Sequence, residues 1–256
     1  MAKKKPNKSG LIIQARMGST RLPGKMMMPF FEGKGIFEIL VDRLTLAFPD
    51  LPVVLATTTH PNDDALVDIA EDYGLKVFRG SEENVLERFI NAAKVFDIEN
   101  VIRICADNPF LDTEAIRNQI ENFESGEDYF GYSTNEGLPT IKTPYGFWTE
   151  AVSLAALEKV RELTDNPFYL EHVTNFIYGH PEHFKIRLEK INPKIESVSN
   201  LRLTLDTPVD FELQREIFHA VYGNAKHIRA VEVAEKVAEN PEWLETMAGE
   251  ILKNKK

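Results

Sequence analysis

The chain is poor in residues that cross-link or anchor a protein. In 256 residues it has one cysteine, Cys105, and six histidines. No disulfide can therefore close within it, and no cysteine pair stands at zinc-ligand spacing. It has no apolar run of membrane-spanning length either. The basic opening MAKKKPNKSG is followed by no long apolar stretch and does not read as a secretory signal. Residues 1–9 are expected to form a disordered basic tail, and the cysteine usage agrees with a cytoplasmic setting. Positive charge is in deficit: 30 Lys and Arg against 40 Asp and Glu give a formal net charge of −10. Such a surface repels phosphate backbones and argues against a nucleic-acid partner. A small phosphorylated ligand needs only a local basic pocket and stays open.

What is present is ordinary for a globular chain, 43% apolar and 27% charged, enough for a full core. Short apolar runs alternate with helical periodicity. GLIIQA (10–15), LPVVLATTT (51–59), LKVFRG (75–80) and NVIRICA (100–106) read as buried strands. Between them, Ile36, Ile39, Leu40 and Leu44 predict a helix over 35–48, with Arg43 off pattern. Pro61 suits a first helical position, Asp63 and Asp64 favour the positive end of that helix, and Gly74 closes it. Further helices are expected over 81–96, with Ser81 as N-cap, and over 112–123, capped by Asp112. Strands alternating with helices imply right-handed crossovers and a mostly parallel sheet.

After residue 128 the rhythm changes. Strands are expected at 128–134, 147–153, 184–191 and 201–206, and a turn-rich connection at 135–146. Helices are expected at 154–163 and 167–179, from Thr207-Pro208 to about Val221, and twice more near the end. No linker interrupts residues 10–252, which read as a single α/β domain.

In an open parallel sheet, ligands collect at the carboxyl ends of the strands. The first strand runs into LIIQARMGSTRLPGKMMM (11–28), which resembles a Walker loop but breaks its pattern twice. Five residues separate Gly18 from Gly24, and Met26 follows Lys25, where four residues and a hydroxyl side chain are needed. The loop nevertheless concentrates Arg16, Arg21 and Lys25 beside exposed amides, which suits a polyphosphate. Thr57, Thr58 and Thr59 follow the second strand, and Arg79, Gly80 and Ser81 the third. Asp107 ends the fourth, and Asp206 ends the run at 201–206. These single carboxylates suit Mg²⁺, which takes one or two carboxylates plus phosphate oxygens. Bland roles compete with these: Asp107 as a turn former, Asp206 as part of a helix cap, Cys105 as packed core, and His172 as a helix-surface or subunit-contact residue.

As an ordered series, IIQARMGSTRLPGK, ATTTHPNDDAL, VFRGSEENVLERF, RICADNPFLD, LEHVT and LTLDTPVDFEL resemble the cytidylyltransferase family of the spore coat polysaccharide biosynthesis protein F type. Those proteins are relatives of the synthetases of CMP-activated 3-deoxy-manno-octulosonate and acylneuraminate. The likeness runs over about residues 11–240. It implies a glycosyltransferase-A-like (nucleotide-diphospho-sugar transferase) α/β fold, a three-layer sandwich on a mostly parallel mixed sheet. It also implies Mg²⁺-dependent transfer of CMP from CTP to an acidic sugar, with release of pyrophosphate, in cell-surface polysaccharide biosynthesis by a homodimer.

By this resemblance Arg16, Lys25 and Asp107 are catalytic, and Asp107 and Asp206 hold the metal. Gln14, Ala15, Gly18, Ser19, Arg21, Thr57, Thr58, Arg79 and Ser81 bind the nucleotide. Glu150, Glu171 and His172 lie on the sugar side. Ala106 beside Asp107, and Phe147-Trp148 in the expected sugar-facing segment, depart from the family pattern. A transferase of the same fold using another nucleoside triphosphate, and a non-catalytic sugar-nucleotide-binding protein, are the alternatives.

Overall fold

Apolar runs of about six residues alternate with amphipathic stretches, and the chain folds accordingly. The computed structural model describes residues 8–19, 21–222 and 228–253. The elements of its first half are β1 (Ser9–Gln14), α1 (Ile36–Ala47), β2 (Val53–Thr58), α2 (Asp64–Asp72), β3 (Lys76–Gly80), α3 (Val85–Val95), β4 (Asn100–Cys105) and α4 (Thr113–Asn122). Then come β5 (Tyr129–Ser133), β6 (Glu150–Ser153), α5 (Leu154–Leu163), α6 (Pro167–Glu171), α7 (Asn175–Gly179), β7 (Ile186–Lys190) and α8 (Pro193–Glu196). Three helices finish the described chain: α9 (Pro208–Tyr222), α10 (Ala230–Ala238) and α11 (Pro241–Lys253).

Among the described residues the strands form one seven-stranded sheet, ordered β3-β2-β1-β4-β6-β5-β7. β1 to β4 are parallel, β6 runs antiparallel to both of its neighbours, and β7 pairs parallel with β5. A mostly parallel mixed sheet was expected and is found. Alternate residues of each strand face opposite sides. Leu11 and Ile13 pack with Phe37, Leu40, Leu66 and Ile116 on the α1, α2 and α4 side. Ile12 packs with Leu86, Phe89 and Leu157 on the α3 and α5 side. A third cluster joins α9 and α10 to the edge of the fold through Phe30, Phe110, Phe147, Phe211 and Phe218.

The structure corrects several expectations. Residues 1–7 of the expected tail lie outside the described residues, but Ser9 is buried in β1 and Lys8 pairs with Asp97 and Glu99. Ser81 is not the cap of α3: the helix starts four residues later, and the Asn84 side chain caps it by accepting from the Glu87 amide at 2.9 Å. The helix expected over 167–179 breaks into α6 and α7, where the Thr174 hydroxyl donates to buried Glu150 at 2.9 Å.

Residues 201–206 bury Leu201, Leu203 and Leu205 in alternation yet form no strand. The neighbouring backbone is Pro144, whose carbonyl accepts from Leu203 and Thr204. Proline has no N–H to return, so the ladder cannot propagate. Gly146 makes this approach possible, since a Cβ there would sit 2.4 Å from the Leu203 carbonyl oxygen and its φ is +71°. Phe147 is fully buried and Ala106 lies in the core below the first loop, so these two departures from the family pattern are packing residues.

Phe218 is the hub of the third cluster, 5.4 Å from Phe30, 5.6 Å from Phe110 and stacked on Tyr222 at 4.8 Å. Phe218→Ala should cost about 3–5 kcal/mol, as large cavities in aromatic cores do. Urea denaturation of the purified variant measures it.

Candidate active site

The carboxyl ends of β1 and β4 open side by side, since Gln14 pairs in register with Cys105. The loop leaving β1 turns back sharply. The Ser19 hydroxyl accepts from the Leu22 amide at 3.3 Å, and Gly24 takes φ +72°, a left-handed turn that favours glycine. Gly18 does not have a positive φ, and the space beside it would accept a Cβ.

This turn buries Lys25, whose ammonium donates to Asp107 Oδ2 at 2.9 Å and to the Leu205 carbonyl at 2.8 Å. Arg21 pairs with Asp206, and Arg16 with Glu82 at 3.0 Å. Asp107 and Asp206, 99 positions apart, therefore face one space, with side chains 37% and 26% exposed. Both line a cavity of about 370 Å³ with Gln14, Arg16, Gly18, Ser19, Arg21 and Lys25. Glu171 and His172 border it from the α6 end. Ala15 also borders it, although its side chain belongs to the core.

A second cavity of about 770 Å³ shares Arg21, Cys105, Asp107, His172 and Asp206 with the first. Arg103, Lys142 and Arg202 add positive charge to its wall. Cys105, expected in packed core, instead lines both cavities. Burial pushes its thiol up to about 11, so it is protonated at neutral pH and unsuited to be a nucleophile. A further concavity of about 1110 Å³, between residues 29–33, α9 and α11, lies apart from these charges.

Other expected ligand contacts are engaged elsewhere. Thr57 and Thr58 are buried, and both hydroxyls donate to Asp63 Oδ2, at 3.0 and 2.5 Å. Arg79 is fastened to the start of α2 through Asp64, with further bonds to the Thr58 and His60 carbonyls. Ser81 is exposed, and its hydroxyl accepts from the Asn84 amide. None of these four lines either cavity. Glu150 is 3% exposed and lines neither cavity. It accepts from Arg103 at 2.7 Å, Tyr129 at 2.6 Å and Thr174, and so holds Arg103 in the cavity wall.

Sequence reasoning missed two buried carboxylates that shape the site. Asp210 and Thr207 form a capping box at the start of α9, each accepting from the other's amide. Asp210 also accepts from the Asp206 amide and from Arg202. The T-x-x-D spacing of Thr207 and Asp210 was a legible signal. Asp63 was read as a helix-end charge. Instead it accepts from the Met17 amide at 2.7 Å, tying the first loop to the end of β2.

A family model described as cytidylyltransferase matches residues 11–239. The chain is 34% identical over 239 residues to the spore coat polysaccharide biosynthesis protein SpsF of Bacillus subtilis, covering 90% of this chain and 94% of that one. Among solved structures it is similar to a cytidylyltransferase from Leptospira borgpetersenii serovar Hardjo-bovis, at 30% identity and a TM-score of 0.79 over 93% and 96% of the two chains. CMP:2-keto-3-deoxy-manno-octonic acid synthetase complexed with CTP shares the fold at 16% identity and a TM-score of 0.59, over 83% of this chain and 99% of that one.

Burial raises the pKa of Asp63, but the bonds from Met17, Thr58 and Thr57 outweigh it and leave the group below its ordinary value. Such a carboxylate stabilises the fold above the unfolded-state pKa, and the contribution is lost as pH falls through the lower folded value. Asp63→Asn should cost about 1–3 kcal/mol at neutral pH. In urea denaturation the gap to the wild type should narrow in acid, below the ordinary aspartate range.

Proposed function

The chain belongs to the cytidylyltransferase family, and on that premise we propose that it transfers CMP from CTP to an acidic sugar of the 3-deoxy-ulosonic or nonulosonic kind, using Mg²⁺ and releasing pyrophosphate. The observation that carries this reading is the convergence of Arg16, Arg21, Lys25, Asp107 and Asp206 on one cavity that opens into a second, cation-walled one. The smaller cavity takes the triphosphate and the larger one the acceptor. The name of SpsF supports a role in polysaccharide biosynthesis, and the CTP complex of the synthetase that shares the fold supports the nucleotide. The sheet order with β6 reversed supports a glycosyltransferase-A-like architecture over residues 10–252. Among the described residues no helix is long and apolar enough to cross a membrane. A homodimer in the cytoplasm completes the reading.

Mg²⁺ fits the donor set. It usually takes one or two protein carboxylates and fills its octahedron with water and phosphate oxygens. Two half-exposed carboxylates, Asp107 and Asp206, supply that number, and no cluster of three or more His, Cys, Asp or Glu ligands stands among the described residues. When bound, the ion neutralises polyphosphate charge. The protein's own share is orientation and electrostatics. Arg16, Arg21 and Lys25 leave their carboxylate partners for phosphate oxygens, and Lys25 stays anchored at the Leu205 carbonyl. Arg103, Lys142 and Arg202 orient an acidic acceptor so that its hydroxyl oxygen attacks the α-phosphorus. The new O–P bond forms as the bond from the α-phosphorus to the bridging oxygen breaks, pyrophosphate leaves with that oxygen, and the hydroxyl proton passes to water.

Calorimetric titration with CTP, ATP, GTP and UTP in Mg²⁺, followed by a pyrophosphate-release screen of eight- and nine-carbon sugar acids, tests the reading. CTP-selective binding that weakens in Asp107→Ala is expected. Lys25→Met should lower turnover on the order of 10²–10³-fold, as loss of a preorganised donor does. Absence of binding by any triphosphate would sink the proposal.

A further inference from the structure

α1 presents an apolar face to the sheet with one exception. Phe37, Leu40, Val41 and Leu44 are buried there, Ile36 and Ile39 turn to the third cluster, and Arg43 is buried too, only 6% exposed. A buried guanidinium is costly unless its N–H groups are satisfied, and a carboxylate is the usual partner. Arg43 instead directs both terminal nitrogens at backbone carbonyls, that of Pro109 at 2.6 Å and that of Leu111 at 2.6 Å. Burial lowers its pKa only to about 10, so it remains charged at neutral pH.

Those two carbonyls belong to the loop between β4 and α4. Asp107 stands near the start of the loop, and Asp112 closes it as the N-cap of α4, its own amide held by the Phe147 carbonyl at 2.8 Å. Pro109, Phe110 and Leu111 are buried, so the loop's far half sits away from water. From above, Lys25 holds the Asp107 side chain; from beneath, Arg43 holds the backbone that carries it. We propose that Arg43 is a positioning residue for Asp107: by fixing the Pro109 and Leu111 carbonyls it sets how the Asp107 carboxylate enters the cavity. A rigid fork suits this task, because a lysine in its place keeps the charge but cannot span both carbonyls in one plane.

Two readouts test this, and only the second rests on the CTP reading above. The first is hydrogen exchange by mass spectrometry in the wild type, Arg43→Lys and Arg43→Met. Exchange at the 107–112 amides should rise about tenfold or more in both variants while β1 and β4 keep their rates, the pattern of a local opening. The second is a double-mutant cycle with Asp107→Asn, read as CTP affinity in Mg²⁺. Arg43→Lys should weaken CTP ~10–100-fold, the usual effect of removing a support of a liganding group. On the Asp107→Asn background it should cost little more, because the route through Asp107 is already cut.

Unchanged exchange at 107–112 overturns the proposal whether or not CTP binds. Losses that add in full in the double mutant also overturn it, since a merely structural arginine would act independently of Asp107. If the wild type binds no CTP, the nucleotide reading fails and the exchange result alone decides the role of Arg43. Arg43→Lys carries both comparisons if Arg43→Met does not fold.

Discussion

Lys25 fixes the geometry of the site. Its ammonium joins the loop after β1 to Asp107 at the end of β4 and to the Leu205 carbonyl, partners 82 and 180 positions away. A buried ammonium against a half-exposed carboxylate contributes little net stability once desolvation is counted. Its effect is on position. With Leu205 held, Asp206 faces the first loop and meets Arg21. With Asp107 held, the two cavities share a carboxylate wall.

Behind these groups stand three buried carboxylates that line neither cavity. Asp63 ties the first loop to β2, Asp210 orients Arg202 and the Asp206 backbone, and Glu150 with Tyr129 and Thr174 holds Arg103. Each of these carboxylates accepts several hydrogen bonds, which is what makes such burial tolerable. Loops at the ends of parallel strands have no ladder to fix them. In this chain, buried side chains do that work, and the proposed chemistry requires it, because electrostatic stabilisation is effective only where donors are already in place.

The first half of the fold was legible because its elements are local. Apolar runs such as LIIQ and VVLA have nowhere to go but a buried strand, and Asp112 caps its helix as its position suggests. Three errors have one physical source. The 201–206 run alternates like a strand, but its neighbour is a proline; the 167–179 run reads as one helix, but Glu150 draws Thr174 inward; Ser81 looks like a cap, but Asn84 accepts the helix amide. In each case a partner distant or equivalent in sequence decided the outcome. The site shows the same division. Arg16, Arg21 and Lys25 crowd one loop and reach one cavity together, whereas Thr57, Thr58 and Glu150 bond to protein partners and line neither cavity.

By itself the sequence determined the alternation of strands and helices, the cationic loop after β1, and the family likeness carried by its ordered motifs. Periodicity, turn chemistry and local charge density are properties of neighbouring residues and can be read without a fold. The meeting of Asp107 with Asp206, the burial of Arg43 against the next loop, and the inward turn of Thr57, Thr58 and Glu150 were decided only by the tertiary structure. A polar side chain's role depends on which distant donor or acceptor reaches it first, and that is settled when the sheet and its loops close around it.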